Sequence, residues 1–174
     1  LWNLSDKISA FALLAHSKKP PFKILSVNDM YCELIADKIH INKELFQFVI
    51  NSKGKDKLVL ITDSMRAGCM PDGEYDLGGQ TVYVKDNYAR IASGSLAGSV
   101  LTLNKAVYNF KENTNLNIYE AINLASLNPA KSIKVDYKKG SLEIGKDADI
   151  AIFNENMDCL ATIVEGDTIY NKIN

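Results

Sequence analysis

The sequence predicts an α/β fold built on parallel strands. The uninterrupted aliphatic run at residues 58–62 has the composition of a strand that is buried on both faces. A helical pattern over residues 43–51 lies between this run and an earlier apolar run at 30–35, and the order strand, helix, strand favours parallel pairing. Asn42 can cap that helix, and Gly54 ends it. With 174 residues, of which 47% are hydrophobic, the chain can bury a sizeable core.

The chain upstream of these elements begins with a predicted helix. Apolar residues recur at roughly helical spacing over residues 5–16, and Pro20 and Pro21 stop the pattern. The next apolar run, residues 22–27, is compact and has the length of a strand. A strand is therefore expected there as well.

Downstream of the parallel unit the pattern changes to alternation. Residues 75–84 alternate, and the turn at 86–87 leads into residues 89–92, which predicts a β-hairpin. The small-residue loop 93–99 is then expected to open a helix that extends over 100–110. Loop amides at a helix start can bind an anion or sugar hydroxyls, whereas most such loops are caps or close-packing points, so both interpretations stay open.

The last part of the chain predicts one more helix and then a small β-layer. Residues 118–127 are amphipathic, and Pro129 is expected to stop this helix, with one further turn at 130–133. Short apolar segments at 150–153 and 161–170 are separated by turn residues. They predict the strands with which the chain closes.

Composition and charge argue against several function classes. The net charge of −1 and the scattered lysines argue against a nucleic-acid partner. No apolar stretch approaches the roughly 20 residues of a membrane-spanning helix, so no membrane partner is expected. Cys32, Cys69 and Cys159 are odd in number and widely spaced, which favours free thiols in a reducing compartment. These features predict a cytoplasmic protein.

Asp63 ends the buried aliphatic run and is the first candidate for chemistry. In α/β folds, functional side chains collect at the carboxyl ends of parallel strands. Residues 59–61 are expected to give Asp63 an apolar setting, and Gly68 with the turn at 71–73 lets the chain leave as a loop over the site. A carboxylate placed there can take a proton from water and pass it on. The alternative is that Asp63 caps a following turn or helix.

Six segments of the chain carry a family resemblance. In order, they resemble motifs of the N-acetylglucosamine-6-phosphate deacetylase family, which belongs to the amidohydrolase superfamily. The segments are 31–40 (YCELIADKIH), 60–67 (LITDSMRA), 72–79 (DGEYDLGG), 94–99 (GSLAGS), 125–130 (ASLNPA) and 140–149 (GSLEIGKDAD). The last two also resemble the general amidohydrolase tail, so the first four carry the narrower likeness. The resemblance covers essentially the whole chain but only the C-terminal part, somewhat under half, of a family member.

The resemblance implies a fold. A family member pairs a metal-dependent TIM barrel with a small β-sandwich that is formed from both chain ends. Residues 1–139 would supply the C-terminal portion of the (β/α)8 barrel, with a β-hairpin inserted after the strand that Asp63 follows. Residues 140–174 would supply the C-terminal strands of the sandwich.

The resemblance also implies roles for two side chains. Asp63 falls on the catalytic aspartate, which serves as general base toward the metal-bound water and then as general acid toward the departing amine. It would also touch a second metal in members that have one. His40 falls on the histidine that contacts the sugar phosphate substrate. Composition alone favours a histidine packed beside Ile39 and Ile41, and the Ile-Ala-Asp-Xaa-Ile-His context reverses that preference.

Five further residues match substrate-binding positions of the family. Asn3 and Leu4 match a pair that holds the phosphate end of the substrate. Leu96, Ala97 and Gly98 match the loop that closes over the substrate. These assignments follow from the resemblance and not from the spacing of the residues.

His16 departs from the family pattern, because the resemblance places there an arginine that reaches the substrate phosphate across a dimer interface. An arginine fork makes two hydrogen bonds, whereas histidine binds phosphate well only when it is protonated. Lys18 and Lys19 could compensate for the change. The preference for a phosphorylated sugar therefore stays open, and a solvated helix end is an equal alternative for His16.

The metal ligands implied by the resemblance are a glutamate and two histidines, all upstream of Leu1. His16 and His40 are the two histidines of the chain, and neither matches a ligand. A hydrolytic metal needs about three protein ligands and an open position for water. A divalent metal, expected to be zinc, therefore belongs to the full-length enzyme, and this chain alone is expected to bind none and to be inactive. The first residue is Leu1 and not methionine, which also predicts a missing upstream part.

Taken together, the motifs imply deacetylation of N-acetylglucosamine 6-phosphate to glucosamine 6-phosphate and acetate, a step of amino-sugar catabolism. Related members imply a homodimer. Two alternatives stay open. One is an amidohydrolase that acts on a different N-acetylated sugar, which the departure at His16 suggests. The other is a non-catalytic fragment that associates through open strand edges, since about three barrel strands cannot close a barrel.

Overall fold

The computed structural model describes Leu25 and residues 28–173. Leu25 is helical and 5% exposed, so the strand expected over residues 22–27 is wrong at this position. The rest of that run and the helix expected over residues 5–16 lie outside the described residues. In the described part, no helix is both long and apolar enough to span a membrane.

The first two strands form the parallel pair that the sequence predicts. They are β1 (Cys32–Ile35) and β2 (Leu58–Ile61), and their register aligns Cys32 with Leu58 and Ile35 with Ile61. All residues of the pair except Glu33 and Ile61 are buried, as a near-continuous aliphatic run requires. On its other side β2 meets a helical segment, where the backbone N–H of Leu60 donates to the carbonyl of Leu124 at 2.9 Å.

A helical connection joins the two strands, which confirms the predicted strand, helix, strand unit. A 3-10 turn (Lys43–Leu45) leads into α1 (Phe46–Lys53). The Asn42 side chain accepts a hydrogen bond from the backbone N–H of Glu44 at 3.1 Å, which is the cap that the sequence predicts. Gly54 ends α1 with a positive φ of 81°.

The main core lies between this parallel pair and the helices that follow. Helix α2 (Leu103–Glu112) places Phe110 against Phe46 of α1, with ring centroids 5.1 Å apart and an interplanar angle of 26°. Both rings are fully buried. Other large side chains of this core with almost no exposure include Leu34, Leu58, Leu124 and Val49.

Two short helices replace the single helix predicted over residues 118–127. Helix α3 (Ile118–Asn123) begins with a capping box, in which Asn117 and Glu120 exchange side-chain to backbone hydrogen bonds at 3.0 and 3.1 Å. Helix α4 (Leu127–Ser132) then contains Pro129, which was expected to stop a helix. Pro129 lies in the first turn of α4, where its missing N–H has no helical partner to lose.

A three-stranded antiparallel sheet takes the place of the predicted β-hairpin. Its strands are β3 (Gly73–Leu77), β4 (Gln80–Lys85) and β5 (Tyr88–Ile91), in that order. The pattern identified the alternation and the turn at 86–87 but not the third strand. The inward side chains of this sheet build a second, smaller core, which contains Met65, Ala67, Val82, Val84 and Ala89.

The C-terminal part forms the small β-layer that the sequence predicts. Strands β6 (Ile150–Phe153), β7 (Cys159–Val164) and β8 (Asp167–Asn171) form an antiparallel sheet in sequential order. The described residues thus form a mixed α/β structure with three separate sheets, and they contain no closed barrel.

Candidate active site

Asp63 lies two residues beyond the end of β2, at the carboxyl edge of the parallel pair. Its backbone has a φ of 47°, which is uncommon for a residue with a side chain. The carboxylate is exposed and accepts no hydrogen bond from the residues that the structure describes. The apolar setting expected for it is therefore wrong, because the residue is exposed.

Ser99 binds the small-residue loop to the end of β2. Its backbone N–H donates to the carbonyl of Asp63 at 2.9 Å, and its own carbonyl accepts from the N–H of Met65 at 2.9 Å. The Ser99 hydroxyl donates to the carbonyl of Thr62, and the residue is 3% exposed. These contacts explain how the unusual backbone of Asp63 is held.

Of the predicted loop residues, Gly98 lies beside Asp63, whereas the backbone N–H of Ala97 donates to the carbonyl of Ala89 at 3.0 Å and Leu96 forms a bridge with Arg90. A Cβ atom on Gly98, whose φ is 70°, would lie 3.1 Å from the Asp63 carbonyl oxygen, so the two backbones approach closely. The loop does not open a helix, because α2 begins only at Leu103. The helix expected to begin at this loop is therefore wrong, and of the two interpretations left open, close packing fits the contacts of the loop.

His40 follows β1 and is bound to Asp37. The Oδ2 atom of Asp37 lies 2.7 Å from the Nδ1 atom of His40. The Oδ1 atom of Asp37 accepts hydrogen bonds from the backbone N–H groups of Ile39 and His40, both at 2.9 Å. The Asp37 side chain is 8% exposed and that of His40 is 16% exposed. The carboxylate thus closes a turn and fixes the ring at the same time.

The environment shifts the pKa values of both groups. Burial alone would raise the pKa of Asp37, but hydrogen bonds from the His40 ring and from the N–H groups of His40 and Ile39 hold it below its usual value. The hydrogen bond to Asp37 raises the pKa of His40 against the opposing effect of burial. The charges of Asp37 and Asp63 raise it further.

The structure brings together part of the predicted site. The register aligns the ends of β1 and β2, so Asp63 and His40 follow at the same edge of the parallel pair, and the charge of Asp63 contributes to the raised pKa of His40. In the loop 96–98, Gly98 lies against the Asp63 backbone. The predicted substrate residues Asn3, Leu4 and His16 lie outside the described residues.

Sequence reasoning missed two residues that shape this site, Asp37 and Ser99. Asp37 stands two residues after the end of β1, as Asp63 stands two residues after the end of β2. This spacing, with His40 three residues later, was a readable signal for Asp37. Ser99 carried no such signal, because its partner Thr62 is distant in the sequence.

The described residues do not fit a divalent metal. Among them, no group of three His, Cys, Asp or Glu side chains lies close enough together to hold an ion. The Nδ1 atom of His40 is already engaged by Asp37. A hydrolytic metal needs about three protein ligands, and Asp63 with His40 would not supply them.

An apolar groove of about 760 Å³ lies elsewhere in the structure, between helices α2 to α4 and the C-terminal strands. Its lining includes Val107, Ile122, Ala130 and Phe153, with Lys139 and Asp149 among the polar groups. None of the predicted site residues that the structure describes lines it. The groove is therefore distinct from the edge at which Asp63 and His40 lie.

The sequence of this chain is similar to those of known proteins. The model of the amidohydrolase family matches residues 25–169. An N-acetylglucosamine-6-phosphate deacetylase of Lysinibacillus sphaericus is 43% identical over 143 residues, which are 82% of this chain and 37% of that protein. An N-acetylgalactosamine-6-phosphate deacetylase of Escherichia coli O157:H7 is 37% identical over 87% of this chain and 40% of its own length.

A solved structure agrees with these sequences. The crystal structure of N-acetylglucosamine-6-phosphate deacetylase from Pasteurella multocida superposes with a TM-score of 0.81 at 30% identity, over 85% of this chain and 38% of that one. The chain thus spans somewhat over a third of the length of these relatives. A family model that matches most of the chain, together with this structural agreement, shows that the chain belongs to the amidohydrolase family.

Proposed function

We propose that this chain is the C-terminal part of an enzyme that hydrolyses N-acetylglucosamine 6-phosphate to glucosamine 6-phosphate and acetate. The observation that carries the proposal is the placement of Asp63, His40 and the loop 96–98 at one edge of the parallel pair. The likeness to deacetylases at about 40% identity supports it. In this proposal residues 1–139 belong to a (β/α)8 barrel and residues 140–174 to a β-sandwich.

Asp63 is the proton carrier in the proposed reaction. An exposed carboxylate with no competing hydrogen bond from the described residues can accept a proton from the water that attacks the acetyl carbonyl carbon. When the bond between the carbonyl carbon and nitrogen breaks, Asp63 returns the proton to the departing nitrogen. The sugar amine and acetate are then released.

His40 and the neighbouring loop have binding roles. A histidine whose pKa is raised carries its charge closer to neutral pH, and a charged ring binds phosphate or carbonyl oxygen more strongly. Gly98 lies against the Asp63 backbone, and in this proposal Leu96, Ala97 and Gly98 close over the substrate. In this proposal Asp63, His40 and the loop contribute proton transfer and substrate binding. A divalent metal such as zinc would have its ligands in the remainder of the enzyme.

A chimeric enzyme tests the proposal directly. This chain replaces the matched 37% of the Lysinibacillus sphaericus deacetylase, and acetate release from N-acetylglucosamine 6-phosphate is measured. We expect turnover, and we expect Asp63→Asn to lower kcat by about 100-fold or more while KM changes little. Asp56→Asn is the matched control, since Asp56 is an exposed acid before the opposite end of β2. A folded chimera in which Asp63→Asn keeps full turnover would contradict the assignment.

A different N-acetylated sugar is the alternative substrate. The relative from Escherichia coli O157:H7 is named for N-acetylgalactosamine 6-phosphate, and this chain is 37% identical to it. Comparing kcat/KM of the chimera for the two phosphorylated epimers and for unphosphorylated N-acetylglucosamine separates the alternatives. A preference for the unphosphorylated sugar would assign the chain to a different amidohydrolase activity.

A second candidate function is non-catalytic association through a strand edge. Strand β1 pairs with β2 on one side and, among the described residues, with no strand on the other. Such an edge can pair with another chain. Sedimentation velocity of the purified chain measures whether it forms dimers. Dimers that persist without any acetate release from the chimera would favour association over catalysis.

The proposal also includes a cytoplasmic homodimer. Cys32, Cys69 and Cys159 are all free thiols, which confirms the prediction made for them and is compatible with a reducing compartment. The dimer follows from the family resemblance. The same sedimentation experiment on the active chimera measures it.

A further inference from the structure

The ring of His40 has two nitrogens, and one of them already has a hydrogen-bond partner. Its Nδ1 atom lies 2.7 Å from Oδ2 of Asp37, whose other oxygen already accepts two backbone N–H groups. The amide of Asn109 donates to the carbonyl of Ala36 at 2.9 Å, so helix α2 holds this turn in place. Nε2 has no hydrogen-bond partner among the described residues, so it is the ring nitrogen that remains for a ligand.

We infer that Asp37 is a positioning residue, which binds the Nδ1–H of His40 and thereby presents Nε2 to a phosphate or carbonyl oxygen of the substrate. The inference rests on the proposed function, which gives His40 a substrate to contact. It assigns to Asp37 a role that a turn-closing aspartate does not need. A turn requires only the two backbone hydrogen bonds to Oδ1.

The chemistry of the ring follows from the charge of Asp37. An ionised carboxylate can only accept, so Nδ1 must carry a proton in both charge states of the ring. When His40 is protonated, Nε2 also carries a proton and donates to an anionic or carbonyl oxygen. When His40 is neutral, Nε2 is a lone-pair acceptor and no longer binds such an oxygen. The charged groups that act on this equilibrium are Asp37, on the same turn, and Asp63, from the end of β2.

The variant Asp37→Asn separates positioning from turn closure. The amide oxygen can still accept the N–H groups of Ile39 and His40, so the turn is retained. The amide nitrogen, however, is a donor, and it would face Nδ1 of His40. The neutral ring should therefore switch from the Nδ1–H to the Nε2–H tautomer, and the pKa of His40 should fall. Asp29→Asn removes the same charge at an exposed position and is the control.

Nitrogen NMR of the complete chain measures both effects. The chain has two histidines, so His40→Gln assigns the ring signals without ambiguity. In the unaltered chain we expect a neutral His40 with Nδ1 protonated, and we expect N-acetylglucosamine 6-phosphate to shift Nε2. Asp37→Asn should reverse the tautomer and weaken binding about tenfold, the loss of one charge-assisted hydrogen bond. Asp29→Asn should do neither.

The outcomes distinguish this inference from the proposed function. An unchanged tautomer and pKa in Asp37→Asn would overturn the inference and leave the role of Asp63 intact. If the variant does not fold, a neutral Nε2–H tautomer in the unaltered chain overturns the inference equally. If the substrate binds and leaves both His40 nitrogens unperturbed, the ring is not a ligand group, and both the inference and the substrate role of His40 fall.

Discussion

The tail segment 140–149 opens with a glycine that the packing requires, and Gly140→Ala should destabilise the protein strongly. Gly140 has a φ of 91°. A Cβ atom there would lie 2.7 Å from Cβ of Ala130, 2.9 Å from the carbonyl oxygen of Ser126 and 3.1 Å from Cα of Leu127. Two of these atoms belong to the backbone and cannot rotate away. The left-handed backbone alone costs about 1–2 kcal/mol for a residue with a side chain, and overpacking adds about 1–3 kcal/mol.

Gly145→Ala is the matched control within the same segment. Gly145 has a φ of 93°, and a Cβ atom there would meet no atom within 4 Å. Both substitutions share the backbone strain and the reduced entropy of the unfolded chain, so these contributions largely cancel in their difference. Urea unfolding at 25 °C should show that Gly140→Ala loses about 1–3 kcal/mol more than Gly145→Ala. Equal losses would refute the packing argument and leave backbone strain as the whole effect.

Two further predictions concern buried polar groups. Asn128→Ala removes an amide that donates to two backbone carbonyls near the start of β2, both at 2.7 Å. Urea unfolding should show that the free energy of unfolding falls by about 2–3 kcal/mol. Asn123→Ala, at an exposed position, should lower it far less. The pKa of Asp37 is lowered by folding, so its stabilisation is present above the unfolded pKa of about 4 and is lost as pH falls through the folded pKa. The pKa of His40 is raised by folding, so its stabilisation is present below the unfolded pKa of about 6.5 and is lost as pH rises through the folded pKa. The free energy of unfolding should therefore fall below and above the pH range between these two pKa values, and Asp37→Asn should flatten this pH profile. An identical profile in the variant would contradict the stabilising role of the Asp37–His40 pair.

Patterning predicted the parallel unit well because its signals are local. The aliphatic run of β2, the Asn42 cap and the glycine at position 54 each specify one element with few alternatives. The C-terminal strands followed from alternation and turn residues in the same way. These features depend on neighbours within a few residues, and such neighbours are visible in a sequence.

The errors arose where distant contacts decide the conformation. Pro129 was expected to end a helix, but Asn128 binds back to the carbonyls of Lys55 and Leu58, which anchors the start of α4 and leaves the proline in a position that tolerates it. The loop at 93–99 was expected to open a helix, but Ser99 is held by the end of β2. Neither the carbonyl groups that Asn128 binds nor the strand end that holds Ser99 can be identified from local spacing.

The two aspartates that follow the parallel strands show how one position can serve two purposes. Ile35 and Ile61 are aligned in the register, and each is followed two residues later by an aspartate. Asp37 is nearly buried and its carboxylate oxygens bind Ile39 and His40, so it is fixed and cannot carry a proton to a substrate. Asp63 is held through its backbone carbonyl, and its exposed carboxylate remains available. Because register gives both residues the same edge of the sheet, the difference in hydrogen bonding is what supports the proposed division, with positioning for Asp37 and proton transfer for Asp63.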